Sequence, residues 1–257
     1  MAEHILCQVR DAVMHLEIKR REKKNALTRP MYEALSEALR QAEANDGVGA
    51  ILLRGQADLF TAGNEVADFL ARQPNEVSAA MRFIEVLAAV GKPVVAAVGG
   101  LAVGIGSTML LHCDLVYAAD NASFKLPFVA LGLCPEAGSS LLLPRLAGHQ
   151  RAAELLFFGE AFSARQARDI GLVNAVLAPS ELMTTAEARA QTLARLPRQA
   201  LATTKALLKR AGKQDFAAAM SAEIKHFGEL AASPMAQEIF RAFLEKRSPD
   251  LSGLADK

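Results

Sequence analysis

From Val94 to Leu111 the chain runs for eighteen residues without a charge, VVAAVGGLAVGIGSTMLL. Apolar sequence of that length raises the question of a membrane-spanning helix. Gly99, Gly100, Gly104 and Gly106 argue against one, because they cut the run into a β-rich piece (VVAAV), a turn, and the start of a helix (STMLLHC). A buried strand that feeds a buried helix has this pattern. The stretch therefore has to lie inside a sizeable core, covered on all sides by other elements.

The flanking sequence supplies that cover. Residues Ile5 to Ile18 alternate and predict two strands joined near Arg10 and Asp11. Thr28 and Pro30 precede MYEALSEALRQAEA, in which Met31, Leu35, Ala38 and Leu39 share one helical face. A strand is expected over Ala50 to Gly55, a helix over Val77 to Ala89, a strand over Val94 to Val98 and a helix over Ser107 to His112. Further strands are expected at Leu115 to Ala118 and Ser123 to Phe124, then helices at Ser139 to Leu146 and His149 to Phe157. Repeated strand and helix predict an α/β fold with right-handed crossovers. From Ser180 onward the sequence is rich in Ala, Leu, Glu, Lys and Arg and predicts helices near 180–196, 198–211, 214–231 and 234–246. No Pro-, Gly- or Ser-rich linker sets this part off, so it is expected to pack on the core or on a neighbouring subunit.

With 257 residues, 51% of them hydrophobic and 22% charged, the chain has the composition of an ordinary globular protein. A formal charge of +1, with dispersed basic residues, gives no electrostatic reason to expect nucleic acid or an anionic membrane. Cys7, Cys113 and Cys134 are odd in number and lack CxxC spacing, and so read as reduced thiols. His112 adjoins Cys113 and Asp114, but no second His or Cys has metal-ligand spacing, so no metal site is expected. The N-terminus MAEHILCQVRD lacks the form of a secretory signal, and the expected location is cytoplasmic.

The chemistry-bearing candidate is Glu136, a lone acid in the Pro/Gly loop LGLCPEAGSSLLLP between apolar segments. Upstream lie two glycine turns, Ala62-Gly63-Asn64-Glu65 and Gly104-Ile105-Gly106-Ser107, each able to aim a backbone N–H at developing negative charge. One base and two donors are the parts needed for enolate chemistry. The apolar neighbours Phe128, Leu131, Leu133 and Leu141 to Leu143 are expected to dry the pocket, hold an acyl chain and raise the pKa of Glu136. GIG is not a dinucleotide fingerprint, because the third glycine of GxGxxG would fall on Met109.

These residues also carry a resemblance. KKNALT (Lys23 to Thr28), LRG (Leu52 to Gly55), FTAGNEVADF (Phe60 to Phe69), KPVVAAVGGLAVGIGSTMLLHCDLVYAADNASF (Lys92 to Phe124), GLV (Gly171 to Val173) and SPMAQEIFRAFLEKRSPD (Ser233 to Asp250) follow one another as in the crotonase superfamily, the enoyl-CoA hydratases and isomerases. The resemblance implies a crotonase (ClpP-like) spiral of ββα turns over residues 1–195 and a C-terminal helical region over 196–257 used in trimer assembly. It implies acyl-CoA thioester substrates, a homotrimer or dimer of trimers, and an oxyanion hole from the backbone N–H groups of Asn64 and Ile105. Ala62, Gly63, Glu65, Gly104, Phe128 and Leu133 are then the expected substrate-binding positions. No separate cofactor is implied, since coenzyme A is part of the substrate.

Departures from the hydratase pattern narrow the expectation. Hydratases of the superfamily carry two glutamates that position a water, and the corresponding residues here are Thr108 and Phe128. Neither is a carboxylate, and each lost acid/base group is worth a factor of about 10²–10⁴. The segments GNEVADF and PFVALGLCPEAGSSLLLP instead resemble the 3,2-enoyl-CoA isomerase branch, in which a single glutamate, aligned with Glu136, shuttles a proton. The expected activity is conversion of 3-enoyl-CoA to 2-trans-enoyl-CoA. Another crotonase-fold acyl-CoA isomerase or hydratase and a non-catalytic acyl-CoA-binding role are the alternatives. Lys23, Lys24, Lys205, Lys209 and Lys246 are candidates for the coenzyme A phosphates, with none singled out.

Overall fold

A computed structural model of the protein describes residues 3–70 and 78–254. Its elements in chain order are β1 (Ile5–Arg10), β2 (Val13–Ile18), α1 (Arg29–Ala44), β3 (Ala50–Arg54), α2 (Val66–Leu70), α3 (Ala79–Ala89), β4 (Val94–Val98), β5 (Leu101–Val103), α4 (Ile105–Thr108), β6 (Leu115–Ala119), β7 (Ser123–Lys125), α5 (Ser139–Ala147), α6 (His149–Phe158), β8 (Phe162–Ser163), α7 (Ala164–Asp169), β9 (Ala175–Leu177), α8 (Pro179–Arg195), α9 (Arg198–Arg210), α10 (Lys213–Ala231) and α11 (Pro234–Glu245).

Two sheets share the chain. The larger has strand order β1-β2-β3-β4-β6-β9, antiparallel only at the β1–β2 hairpin and parallel elsewhere. The smaller has order β5-β7-β8. Parallel single-residue bridges, Leu27 with Asn64 and Thr61 with Ala102, extend this second stack. Each turn of the chain therefore gives a strand to the large sheet, a short segment to the second stack, and then helix, which is the expected ββα spiral.

The uncharged run behaves as its glycines require. β4 is fully buried, and it pairs in parallel with β3 and β6. Strands buried on both faces read as continuous apolar runs. One side of the large sheet packs on α1 and α3 through Met31, Leu35, Leu39, Phe83 and Ile84. The other side packs on α8 through Leu182, Ala186, Ala190 and Ala194, four residues apart and hence on one helical stripe. The small side chains let backbones approach closely: a Cβ at Gly49 would lie 2.6 Å from the carbonyl oxygen of Ala194.

Several expectations need correction. The helix expected at Ser107 starts at Ile105, because Gly104 takes φ +55° and releases the next residue into helical geometry, and its last turn, Met109–His112, is 3-10. The glycine turn between β4 and α4 contains a strand, β5, too short for a periodicity to register. β8, α7 and β9 were not anticipated, although Ser163 and Gln166 form the capping box that opens α7. Val77, the expected first residue of α3, lies outside the described residues.

The C-terminal helices pack on the core of the same chain. Phe240 of α11 stacks on Phe69 of α2 with centroids 5.1 Å apart, and Phe227 of α10 meets the same ring at 6.0 Å. Lys205 of α9 is buried, and its Nζ donates to the Lys92 carbonyl and to Asp114 Oδ2, both at 2.7 Å. The same Asp114 oxygen accepts the Val94 N–H that opens β4. This lysine is a structural tie, not a free cation for phosphate. Removing one partner of such a pair leaves a buried uncompensated charge. Lys205→Met is expected to lower stability by about 2–4 kcal/mol in urea unfolding followed by circular dichroism, and an unchanged midpoint would refute the tie.

Candidate active site

Glu136 sits where the chain turns from the 3-10 turn Val129–Leu131 into α5, and the turn is held from three sides. Ser139 returns two hydrogen bonds to the Glu136 carbonyl, from its N–H (3.0 Å) and its hydroxyl (2.6 Å). Ala137 and Gly138 both adopt left-handed backbone, φ +60° and +71°. That conformation is unfavourable for an L-residue such as Ala137. Its carbonyl accepts a 2.8 Å bond from His112 Nε2–H, and burial pushes the His112 imidazole down to about 4, leaving it neutral. The third side is α10, where both oxygens of the buried Glu223 carboxylate accept N–H groups, Gly138 at 2.6 Å and Ser140 at 2.9 Å.

The Glu136 side chain is 1% exposed. Thr108 Oγ1 donates to its Oε1 at 2.5 Å, while Oε2 is buried with no hydrogen-bond partner among the described residues. Burial pushes the carboxyl up to about 8, with the Thr108 hydroxyl pulling down and the nearby Glu223 carboxylate adding to the rise. The expected upward shift is present, and its cause is desolvation, as anticipated.

Glu136 faces a cavity of about 190 Å³ whose wall includes Tyr32, Asn64, Phe69, Met81, Glu223 and Phe227. The other carboxylates of the wall are engaged. Glu65 pairs with Arg20 at 2.8 Å, Asp68 Oδ2 accepts the Arg29 N–H at 3.2 Å, and Glu223 holds the α5 turn. Among the wall carboxylates, Glu136 is the one with a buried oxygen left unpartnered.

The two glycine turns are brought edge to edge by the Thr61–Ala102 bridge, in which Thr61 N–H donates to Leu101 at 2.8 Å and Val103 N–H donates to Thr61 at 3.1 Å. Gly63, at φ +87°, lies so close to β5 that a Cβ there would sit 2.4 Å from the Val103 carbonyl oxygen. Only glycine permits that approach. Thr61 is itself fixed by its hydroxyl bond to the Asn25 carbonyl (2.6 Å), and the Asn25 side chain accepts the Arg20 N–H at 2.7 Å and donates to the Phe60 carbonyl at 2.8 Å, which explains the amide within KKNALT. The backbone N–H groups of Asn64 and Ile105 donate to no described residue, whereas Ala62 and Gly104 donate to the carbonyls of Lys24 and Lys125.

Of the residues expected at the site, Asn64, Glu65 and Glu136 line the cavity. Ala62, Gly63, Gly104 and Ile105 build the adjoining turns, with Ile105 buried. Phe128 and Leu133 are not in the cavity wall. They are joined by a 2.8 Å backbone bond across the left-handed Gly132, and both are buried in the core. The apolar wall comes instead from α2, α3 and α10.

Several wall residues were not anticipated, among them Tyr32, Phe227 and Glu223. Tyr32 Oη donates to Asn64 Oδ1 at 2.6 Å, and burial raises its phenol well above the ordinary range. In sequence Tyr32 is one more apolar-face residue of α1, and Glu223 is one more acid in a charged helix. Only the fold brings them together. Among the described residues no group of three or more His, Cys, Asp or Glu is placed to hold a metal, and no helix is long and apolar enough to cross a membrane.

The sequence profile of the enoyl-CoA hydratase/isomerase family matches residues 8–253. The chain is 34% identical over 261 aligned positions to 1,2-epoxyphenylacetyl-CoA isomerase of Escherichia coli (strain K12), covering 98% of this chain and 100% of that protein. It is 35% identical over 217 positions to enoyl-CoA delta isomerase 2 of Rattus norvegicus, covering 82% of this chain and 55% of the rat protein. Among solved structures, Pseudomonas aeruginosa OdaA superposes with a TM-score of 0.91 at 42% identity, over 95% of this chain and 99% of OdaA. With the same ββα spiral, the same length and a matching profile over nearly all its residues, the chain belongs to the enoyl-CoA hydratase/isomerase family of the crotonase superfamily.

Proposed function

We propose that the protein is a 3,2-enoyl-CoA isomerase, with Glu136 as its only proton carrier and the N–H groups of Asn64 and Ile105 as its oxyanion hole. The observation that carries this reading is the state of the Glu136 carboxylate in the cavity wall: one oxygen is held by Thr108, and the other is buried and unpartnered among the described residues. Where hydratases of the superfamily keep their two water-positioning glutamates, this chain has Thr108, which serves Glu136, and Phe128, which serves the core.

The thioester carbonyl oxygen accepts the two backbone N–H bonds, which strengthen as negative charge builds there. Glu136 Oε2 removes a proton from C2, and the electron pair moves into the C1–C2 bond to give a dienolate conjugated with the C3–C4 double bond. The same oxygen returns the proton to C4. The double bond closes between C2 and C3, and the carbonyl reforms. A single carboxylate acts as base and then acid, so no water is consumed. The desolvated wall of Phe69, Met81 and Phe227 keeps water from competing for the dienolate. An aromatic wall and the likeness to an epoxyphenylacetyl-CoA isomerase favour a second reading, isomerisation of a ring-bearing acyl-CoA by the same base.

Product analysis of 3-hexenoyl-CoA incubations tests the proposal. Wild-type protein is expected to form 2-trans-hexenoyl-CoA with little 3-hydroxy product, and Glu136→Gln to lower kcat/KM by about 10²–10⁴. An untouched 3-hexenoyl-CoA, or an equally active variant, would overturn it, and turnover of a ring-bearing acyl-CoA alone would select the second reading.

Because Glu136 must be ionised to act as base, kcat/KM is expected to rise with pH and level off above about 8. A profile already flat at pH 6 would contradict the burial argument. The same shift has a cost in stability. The folded-state value lies above the ordinary carboxyl value of 4.5, so the contribution of Glu136 to stability is fully present below pH 4.5 and is lost as pH rises through 8. Thermal unfolding of Glu136→Gln should therefore show a gain over wild type that grows between pH 5 and 8, to roughly 1–3 kcal/mol.

A further inference from the structure

Glu223 belongs to α10, more than eighty residues after Glu136, yet it is bound to the loop that carries that base. A helix start leaves backbone N–H groups without partners, and a side chain near the N-cap usually satisfies them. At α5 the N-cap is Gly138, which has no side chain. The Glu223 carboxylate takes that role from another helix, accepting the N–H of Gly138 at 2.6 Å and of Ser140 at 2.9 Å. At 6% exposure it pays the desolvation of a charge, and a carboxylate fully used by two N–H donors is the arrangement that offsets it.

The clamped segment begins two residues after Glu136, at the left-handed Gly138, which directly follows the left-handed Ala137. Gly138 is pinned on its other side as well, since a Cβ there would lie 2.4 Å from the Phe216 ring. We propose that Glu223 is the positioning residue of this site: by clamping the N–H groups of Gly138 and Ser140 it fixes the turn that holds Glu136 in the cavity wall. The inference rests on the role given to Glu136 above.

Other ionisable groups around this pair are fixed differently. Tyr32 and Arg29 come from α1, Glu65 and Asp68 from the α2 side, His112 from the 3-10 turn, and Cys134 from the loop itself. Glu65 is neutralised by Arg20, His112 is neutral, and burial raises both the Tyr32 phenol and the Cys134 thiol, so these three stay uncharged at neutral pH. Glu223 is the carboxylate whose charge acts on Glu136.

The test compares wild type, Glu223→Gln and Glu223→Asp in steady-state isomerisation of 3-hexenoyl-CoA, with the folded fraction of each measured by circular dichroism. A misplacement of about 1 Å at a reacting group costs up to 10²-fold. Glu223→Gln keeps the size but loses the charge and one of the two acceptors. It is expected to lower kcat by roughly 10–100-fold with KM within about twofold, and to move the acid limb of the kcat/KM profile to lower pH. Glu223→Asp restores the charge and should return the limb to its wild-type pH with only part of kcat. If Glu223→Gln per folded molecule matches wild type in kcat and in the position of the acid limb, Glu223 is merely a helix cap and the inference falls. If instead wild type turns over no 3-hexenoyl-CoA, the isomerase reading fails first. The inference is then read from stability, as the pH at which Glu136→Gln begins to gain over Glu136, in the presence and absence of the Glu223 charge. An onset that does not move refutes it.

Discussion

The parallel bridge between Thr61 and Ala102 is the contact on which this architecture turns. It joins two turns that belong to different sheets, one following β3 of the large sheet and the other leading out of β5 of the small one, and sets their backbones within touching distance. Everything upstream exists to hold it. Asn25, itself in left-handed backbone, accepts the Thr61 hydroxyl at its carbonyl and donates through its amide to Phe60, while its side-chain oxygen accepts the Arg20 N–H. A single buried asparagine thus links the end of β2, the turn after β3 and the second stack. Such networks are stabilising only when every member is satisfied, and here each is.

The Glu136 loop is built on the opposite principle. Among the described residues Thr108 satisfies one oxygen of Glu136 and none satisfies the other, so the carboxyl is left high in free energy as an ion and ready to take a proton. Natural proteins tend to break the rule of polar satisfaction at functional sites and to be otherwise well formed. The left-handed Ala137 beside it is a second local expense, supported by the neutral His112. The exception is confined to one loop, while the strands and helices around it follow ordinary propensities.

Much of this was legible in the sequence, for identifiable reasons. The apolar face of α1 was readable because Met31, Leu35, Ala38 and Leu39 keep helical spacing and all are buried. β4 was readable because a strand covered on both sides must be apolar throughout. Glu136 was readable because an acid between apolar segments has few structural uses. What escaped notice was either too short to have a period, as with β5 and β8, or defined by tertiary neighbours alone. Apolar character alone does not say whether Phe128 and Leu133 face the cavity or the core, and both are buried outside the cavity wall. Tyr32 and Glu223 acquire their meaning only from partners 32 and 85 residues away.

The cavity is floored by residues from the first 140 positions and roofed by Phe227 of α10, with Phe240 of α11 stacked behind Phe69. A chain emerging from the ribosome N-terminus first completes its sheet and both glycine turns long before these two helices exist. Until they dock, Phe69 lies bare and the carboxyl beneath it is wetted, with an acidity nearer that of a free glutamate. Docking of the last fifty residues is thus the step that closes the cavity and takes Glu136 out of water, so the burial of that carboxyl is the last feature of the fold to be completed.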